Sequence, residues 1–169
     1  DIYLVLKQMV YVIAGFIMMI LVSQPDPDIF RRTSGLFLIF SLLLLGLTYL
    51  FGPEINGAQR WVRLGPFSFQ SSELLKLAVP IFLASFLFNK KLPIQRQEII
   101  ISLLIIFCCF FLVFRQPDLG TALIIACSGL FVLFLSGLSW TFIGGSFVVL
   151  IISSPFIWNI LLQPFQRQR

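Results

Sequence analysis

The chain has no histidine, few charged residues and only three cysteines. Without histidine, the Ser-His-Asp and Cys-His arrangements are excluded along with the commonest metal ligand, so acid–base work must fall to carboxylates. Charged residues make up 11% of the sequence against 59% hydrophobic, and the mean hydropathy is +1.00. That balance excludes an ordinary soluble domain and indicates an integral membrane protein. Cys108, Cys109 and Cys127 all fall in apolar runs without CxxC spacing. They indicate neither a disulfide framework nor a zinc site, and we read them as packing residues. No stretch is long enough for a soluble domain with its own core, so residues 1–169 are expected to form a single transmembrane domain. The first residue is Asp1 rather than Met and no secretory leader is visible; the expectation is a fragment of a longer protein.

What the sequence has in abundance is uncharged apolar runs. Six are readable: Met9 to Val22, Leu36 to Phe51, Leu77 to Phe88, Ile99 to Phe114, Leu119 to Leu138, and Thr141 to Leu162. They predict an all-α, polytopic membrane helix bundle of about six transmembrane helices. Because a bilayer core needs about 20 helical residues, the third run spans only if Ser72 to Lys76 belongs to its helix, which places Glu73 and Lys76 at membrane depth. The expected connections are 23–35, 52–71, 89–98, 115–118 and a tight turn near Gly137. Pro80 and Pro155 fall within predicted spans, where a proline removes a backbone donor and invites a kink. Gly129, Gly137, Gly144 and Gly145 offer smooth surfaces for close helix packing, without a GxxxG pair that would argue for a specific dimer.

The net charge of +5 would suit nucleic acid, but the basic residues are dispersed between apolar runs rather than gathered on one polar face. Anionic lipid headgroups or an anionic lipid substrate fit better, and no nucleic-acid partner is expected. Arg31, Arg32, Lys90, Lys91 and Arg96 fall on one predicted side, and Lys7, Arg60, Arg63, Arg115, Arg167 and Arg169 on the other. The positive-inside count therefore does not fix orientation. The first set resembles plain cytoplasmic anchors, so Arg31 and Lys90 are expected to face the cytoplasm.

Most of the unusual polar chemistry is packed into Asn56 to Lys76, between two apolar runs. Glu73 and Lys76, three apart on a helix, share one face and can pair at the membrane boundary. This is either a salt bridge that eases a helix into lipid or part of a polar cavity. Arg60, Trp61 and Arg63 precede Gly65, Pro66, Phe67 and Phe69 in a loop that can lie in the interface. Its arginines can bind phosphate with paired donors, or snorkel from an aromatic belt. Asp118, at the mouth of the fifth run with Thr121 three residues on, is placed to cap a helix. It could equally fix Lys76 or bind a cation.

Three ordered segments carry a family resemblance: GAQRW at Gly57 to Trp61, FQSSELLK at Phe69 to Lys76, and QPDLGTA at Gln116 to Ala122. They resemble the signature segments of the SEDS family (RodA, FtsW and SpoVE), and GAQRW with LFLSGLSW is most like the RodA branch. Ser71 stands where the family usually has proline. The resemblance implies the second to seventh of ten membrane helices. It also implies a peptidoglycan glycosyltransferase of the bacterial inner (cytoplasmic) membrane, which polymerises lipid II into glycan strands and releases undecaprenyl pyrophosphate. The implied partners are lipid II, a class B penicillin-binding protein and other membrane proteins of the elongation machinery. The implied cofactor is a divalent cation, magnesium or manganese. The family's catalytic aspartate maps beyond Arg169, so the resemblance assigns no catalytic residue within this chain and implies that the piece is inactive alone. It transfers Arg60, Glu73, Lys76 and Asp118 as cavity or substrate-binding residues, with Trp61 as a neighbour. Arg63 is added as a further source of charge. Two other readings are a lipid-precursor flippase, which should distribute charges through both halves of its path, and a membrane scaffold for a penicillin-binding protein, which should tolerate substitution of Glu73, Lys76 and Asp118.

Overall fold

The computed structural model describes residues 2–55, 58–59, 61–64, 67–139, 141 and 144–145. Among these are five helices: α1 (Ile2–Ser23), α2 (Pro27–Phe51), α3 (Ser71–Leu87), α4 (Arg96–Phe114) and α5 (Leu119–Leu135). Between α2 and α3 lie four short strands: β1 (Glu54–Ile55), β2 (Ala58–Gln59), β3 (Trp61–Leu64) and β4 (Phe67–Gln70). Helices α1, α2 and α4 are long and apolar enough to cross a membrane. The protein is an all-α, multi-pass membrane helix bundle with a small β appendage. Most of the sixth apolar run, including Pro155, lies outside the described residues.

Helix α3 begins at Ser71, so Ser72 to Lys76 does belong to its helix, and it continues through Pro80 to Leu87. Helices α3 and α5 have 17 residues each, roughly 26 Å at the α-helical rise and somewhat short of a bilayer core. Both pack against neighbouring helices, while Leu77 of α3 and Ile124, Phe131 and Leu135 of α5 stay exposed.

Two connections differ from expectation. The segment expected to link the first two spans over 23–35 is mostly helix, because α2 starts at Pro27. Asp26 caps it by accepting from the Asp28 amide at 3.1 Å, Pro27 occupies the first turn where its missing donor costs nothing, and Asp28 pairs with Arg31 at 3.3 Å. Polar residues here start the helix rather than delay it. Within 52–71 the described residues form four short strands paired antiparallel, β1 with β2 and β3 with β4, rather than an irregular loop. Near lipid, backbone donors and acceptors must find partners within the chain. The aromatic and branched residues of Trp61-Val62-Arg63-Leu64 and Phe67-Ser68-Phe69-Gln70 suit the strands that supply them.

The bundle is centred on α3, which packs against α2, α4 and α5, while α4 also packs on α5. Leu75, Ala78, Val79, Leu83 and Leu87 of α3 are buried at helical spacing and meet Leu38 and Leu45 of α2, Ile106, Cys109 and Val113 of α4, and Ile125 and Leu133 of α5. The buried stripe of α2 interleaves Ser34, Ser41 and Thr48 with its leucines. Each hydroxyl donates to a carbonyl of its own helix, at 2.8, 2.7 and 2.7 Å. These small, self-satisfied side chains let a neighbouring helix approach closely. Gly129 serves the same purpose on α5, where an added Cβ would stand 2.6 Å from Ile106 Cγ1 and 3.3 Å from Leu83 Cδ1. Gly137 instead forms the turn after α5, with φ of +95°, a conformation that glycine adopts without strain. Helix α1 keeps its apolar side chains from Val5 to Val22 exposed, as lipid contact allows.

Candidate functional site

The helices alternate in direction, so the hairpins, the N-termini of α3 and α5 and the C-terminus of α4 gather at one end of the bundle. Cross-links confirm the arrangement: buried Gln116 donates to the Leu45 carbonyl of α2 at 3.3 Å, and Ser85 donates to the Arg31 carbonyl at 2.9 Å at the opposite end. The candidate residues lie at the hairpin end.

Glu73 sits in the first turn of α3, where a carboxylate is favoured by the helix dipole, and Lys76 lies one turn further in. Lys76 Nζ is 2.7 Å from Glu73 Oε1, with side-chain exposures of 25% and 46%. The expected ion pair is formed. The lysine is the more shielded member, so it needs the carboxylate, while the pair stays open enough to meet a ligand.

Asp118 is the N-cap of α5, as its spacing predicted: Oδ1 accepts from the Thr121 amide at 3.2 Å and Oδ2 from the Thr121 hydroxyl at 2.8 Å. Oδ2 also accepts from Gln70 Nε2 at 2.6 Å, a bond between residues 48 apart in sequence. Gln70 is the last residue of β4 and the N-cap position of α3, and in the β3–β4 ladder it pairs with Trp61. Half-buried Trp61, Gln70 and Asp118 are thus brought into one row from three elements. Arg63 lies on β3 opposite Ser68; its side chain, and all of Arg60, fall outside the described residues. Arg115, at the end of α4, places its guanidinium 5.9 Å from the centre of the Phe111 ring.

Gln70 and Gln116 frame the site, and the sequence alone assigned neither a role. Capping spacing pointed to Thr121, but nothing local connects Gln70 with Asp118. Two buried hydroxyls, Ser71 Oγ and Ser72 Oγ, have no protein partner at the start of α3. Among the described residues no three His, Cys, Asp or Glu side chains stand close enough to hold a metal ion. With Glu73 engaged by Lys76 and Asp118 by Gln70 and Thr121, these residues do not by themselves make a divalent-cation site.

At the other end two of the cations, Arg31 and Lys90, are paired locally. Arg31 pairs with Asp28 and lies 4.5 Å from the centre of the Phe88 ring, while Lys90 pairs with Glu98 at 3.5 Å. An apolar cleft between α3 and α5, with Lys90 at its rim, also lies at that end and is remote from the Glu73–Lys76 pair.

A family model described as "Cell cycle protein", FTSW_RODA_SPOVE, matches residues 1–169. The chain is 38% identical over 169 residues to the peptidoglycan glycosyltransferase MrdB of Escherichia coli (strain K12), covering 100% of this chain and 46% of that relative. It is 29% identical over 163 residues to the probable peptidoglycan glycosyltransferase FtsW of Idiomarina loihiensis, covering 95% of this chain and 39% of the relative. The chain therefore spans less than half the length of these curated relatives. Its fold matches the crystal structure of the rod shape determining protein RodA of Thermus thermophilus with a TM-score of 0.77 and 31% identity, over 90% of this chain and 51% of that one. It also matches a chain from a structure on coordination of polymerization and crosslinking by a peptidoglycan synthase complex, with a TM-score of 0.77 and 31% identity over 96% of this chain and 48% of that one.

Proposed function

Because the chain belongs to the FtsW, RodA and SpoVE family of cell cycle proteins, we propose that it is the central helical part of a peptidoglycan glycosyltransferase that polymerises lipid II in the bacterial inner membrane. The observation that carries this reading is the clustering of Lys76, paired with Glu73, and the Gln70–Asp118 bond at one end of the bundle, beside a hairpin that contains Arg63. The relatives' names as peptidoglycan glycosyltransferases support the reaction class.

Glycosyl transfer from a lipid pyrophosphate needs a base for the acceptor hydroxyl and positive charge for the departing pyrophosphate. Here Lys76, held by Glu73, is assigned to the pyrophosphate, with Arg60 and Arg63 as further cations of the same segment. Asp118 is assigned to holding the hairpin against the mouth of α5. The base is proposed to be an aspartate of the complete protein outside these residues. The described residues do not form a divalent-cation site; magnesium or manganese is proposed as a companion of the pyrophosphate in the complete protein.

The local pairing of Arg31 and Lys90 supports their role as anchors, and we place that end in the cytoplasm and the hairpin end outside. A class B penicillin-binding protein is the proposed partner, supported by the likeness to a chain of a peptidoglycan synthase complex in which polymerization and crosslinking are coordinated. Other membrane proteins of the elongation machinery are proposed to join it.

The test is glycan-strand formation from purified lipid II by the complete protein. Lys76→Ala should lower turnover by about a hundredfold or more, the cost of deleting one group that stabilises transition-state charge. Turnover near that of the unchanged protein would remove Lys76 from the mechanism.

A further inference from the structure

Gln70 occupies a position that no other described residue shares. Its backbone ends β4 and pairs with Trp61 across the ladder, it is the N-cap position of α3, and its side chain reaches Asp118 at the mouth of α5. It makes no capping bond to α3 with that side chain. The amide is used on Asp118 instead, at 2.6 Å, a charge-assisted bond stronger than one between neutral groups. Asp118 is itself fixed by Thr121, and the neighbouring Gln116 is buried and bonded to α2. Asp118, fixed at the mouth of α5, thus ties the end of the hairpin to the bundle through the Gln70 side chain.

We infer that Gln70 is a positioning residue of the polymerase: through Asp118 it sets how the β3–β4 hairpin stands at the start of α3, the helix that carries the Glu73–Lys76 pair. The inference rests on the glycosyltransferase reading for its effect on turnover, but the clamp itself does not. Strand β3 carries Trp61 and Arg63, and a two-stranded hairpin is at best marginally stable alone. Without the Gln70 amide the hairpin keeps its ladder and loses its registration on the bundle. A cation displaced by about 1 Å serves a developing charge poorly, which lowers kcat more than it raises KM.

Two measurements on the complete protein in lipid nanodiscs test this. The first is hydrogen exchange at the amides of 61–64 and 67–70 in the unchanged protein and in Gln70→Leu. Exchange should rise about tenfold there and stay unchanged at Ile106 to Val113 in the core of α4. Equal acceleration in that core would make Gln70 a residue of general stability and overturn the positioning role. No acceleration in the hairpin would overturn it as well. Should Gln70→Leu fail to accumulate, Gln70→Glu keeps the size, sets one carboxylate against another and is read in the same way.

The second measurement is lipid II polymerisation by Gln70→Leu, Asp118→Ala and the double variant. Gln70→Leu should lower kcat by about tenfold to a hundredfold, the loss expected for a hydrogen bond to a charged group, with KM changed less than about threefold. The double variant should be no slower than the slower single variant, because each change removes the Gln70–Asp118 contact and the second has nothing of it left to break. Multiplying losses would show that Gln70 does not act through Asp118. If the unchanged protein makes no glycan, the glycosyltransferase reading fails, whereas the exchange pattern still decides whether the clamp exists.

Discussion

Replacing Gly129 with alanine drives a methyl group into the place where α3, α4 and α5 converge. The new Cβ would stand 2.6 Å from Ile106 Cγ1, 2.8 Å from Ile106 Cδ1 and 3.3 Å from Leu83 Cδ1, against about 3.5–4.0 Å for relaxed carbon contacts. The Cδ1 contacts can swing away, but Ile106 Cγ1 is tied to a β-branched carbon whose χ1 is nearly fixed in a helix. Ile106 and Leu83 are both buried, so neither has room to retreat without moving a helix. Overpacking of this kind costs about 1–3 kcal/mol, and the gain in helix propensity from glycine to alanine offsets up to about 1 kcal/mol. With the full offset the expected net loss is about 0–2 kcal/mol, and relative to a glycine-to-alanine change in open space it is about 1–3 kcal/mol. Gly15→Ala on α1 is the control, since a Cβ there meets nothing within 4 Å, and it should be neutral or slightly stabilising. Unfolding of the complete protein in detergent, followed by thermal midpoint, reads both. Ile106→Ala in the Gly129→Ala background removes the clashing atoms, so the two changes together should cost less than the sum of each alone. Gly129→Ala as stable as Gly15→Ala would refute the close approach of α4 and α5 at this point.

Exchanging the members of the ion pair, as Glu73→Lys with Lys76→Glu, separates a salt bridge from a polar site. The swapped protein should keep its thermal midpoint within a few degrees, because the pair is partly exposed and worth little in itself, yet polymerise lipid II about a hundredfold more slowly; full activity would make the pair structural. Asp118→Ala removes both the α5 cap and the acceptor of Gln70, and should cost about 1–2 kcal/mol in the same unfolding measurement; no loss would show that the cap is dispensable. N-ethylmaleimide added to the protein in detergent should modify Cys108 and Cys127, which are exposed, well before Cys109, which is buried against α3 and α5; equal rates would contradict the assigned face of α4.

The sequence was most legible where membrane physics is strict. A bilayer demands runs of uncharged residues with every backbone group satisfied inside the segment, so five helices were readable as runs, and the need for length alone placed Glu73 and Lys76 on α3. Helix spacing then made their ion pair predictable, and the Asp118–Thr121 spacing made the cap predictable. Legibility failed where pairing is not local. Polar residues at the start of α2 resembled a loop because runs of apolar residues say nothing about capping. The hairpins were hidden because strand pairing in a short polar segment depends on what lies beside it.

By itself, then, the sequence determined that this protein is a bundle of membrane helices, which groups carry its scarce charge, and which family motifs they belong to. These follow from composition and from periodicities within one helix. Only the tertiary structure decided that Gln70 grips Asp118 across 48 residues, that Gln116 ties this corner to α2, and that Gly129 is where three helices meet. Such contacts depend on the relative height and rotation of neighbouring helices. Those are fixed by the packing of Leu75, Val79, Leu83 and their partners around α3, and no spacing along a single segment encodes them.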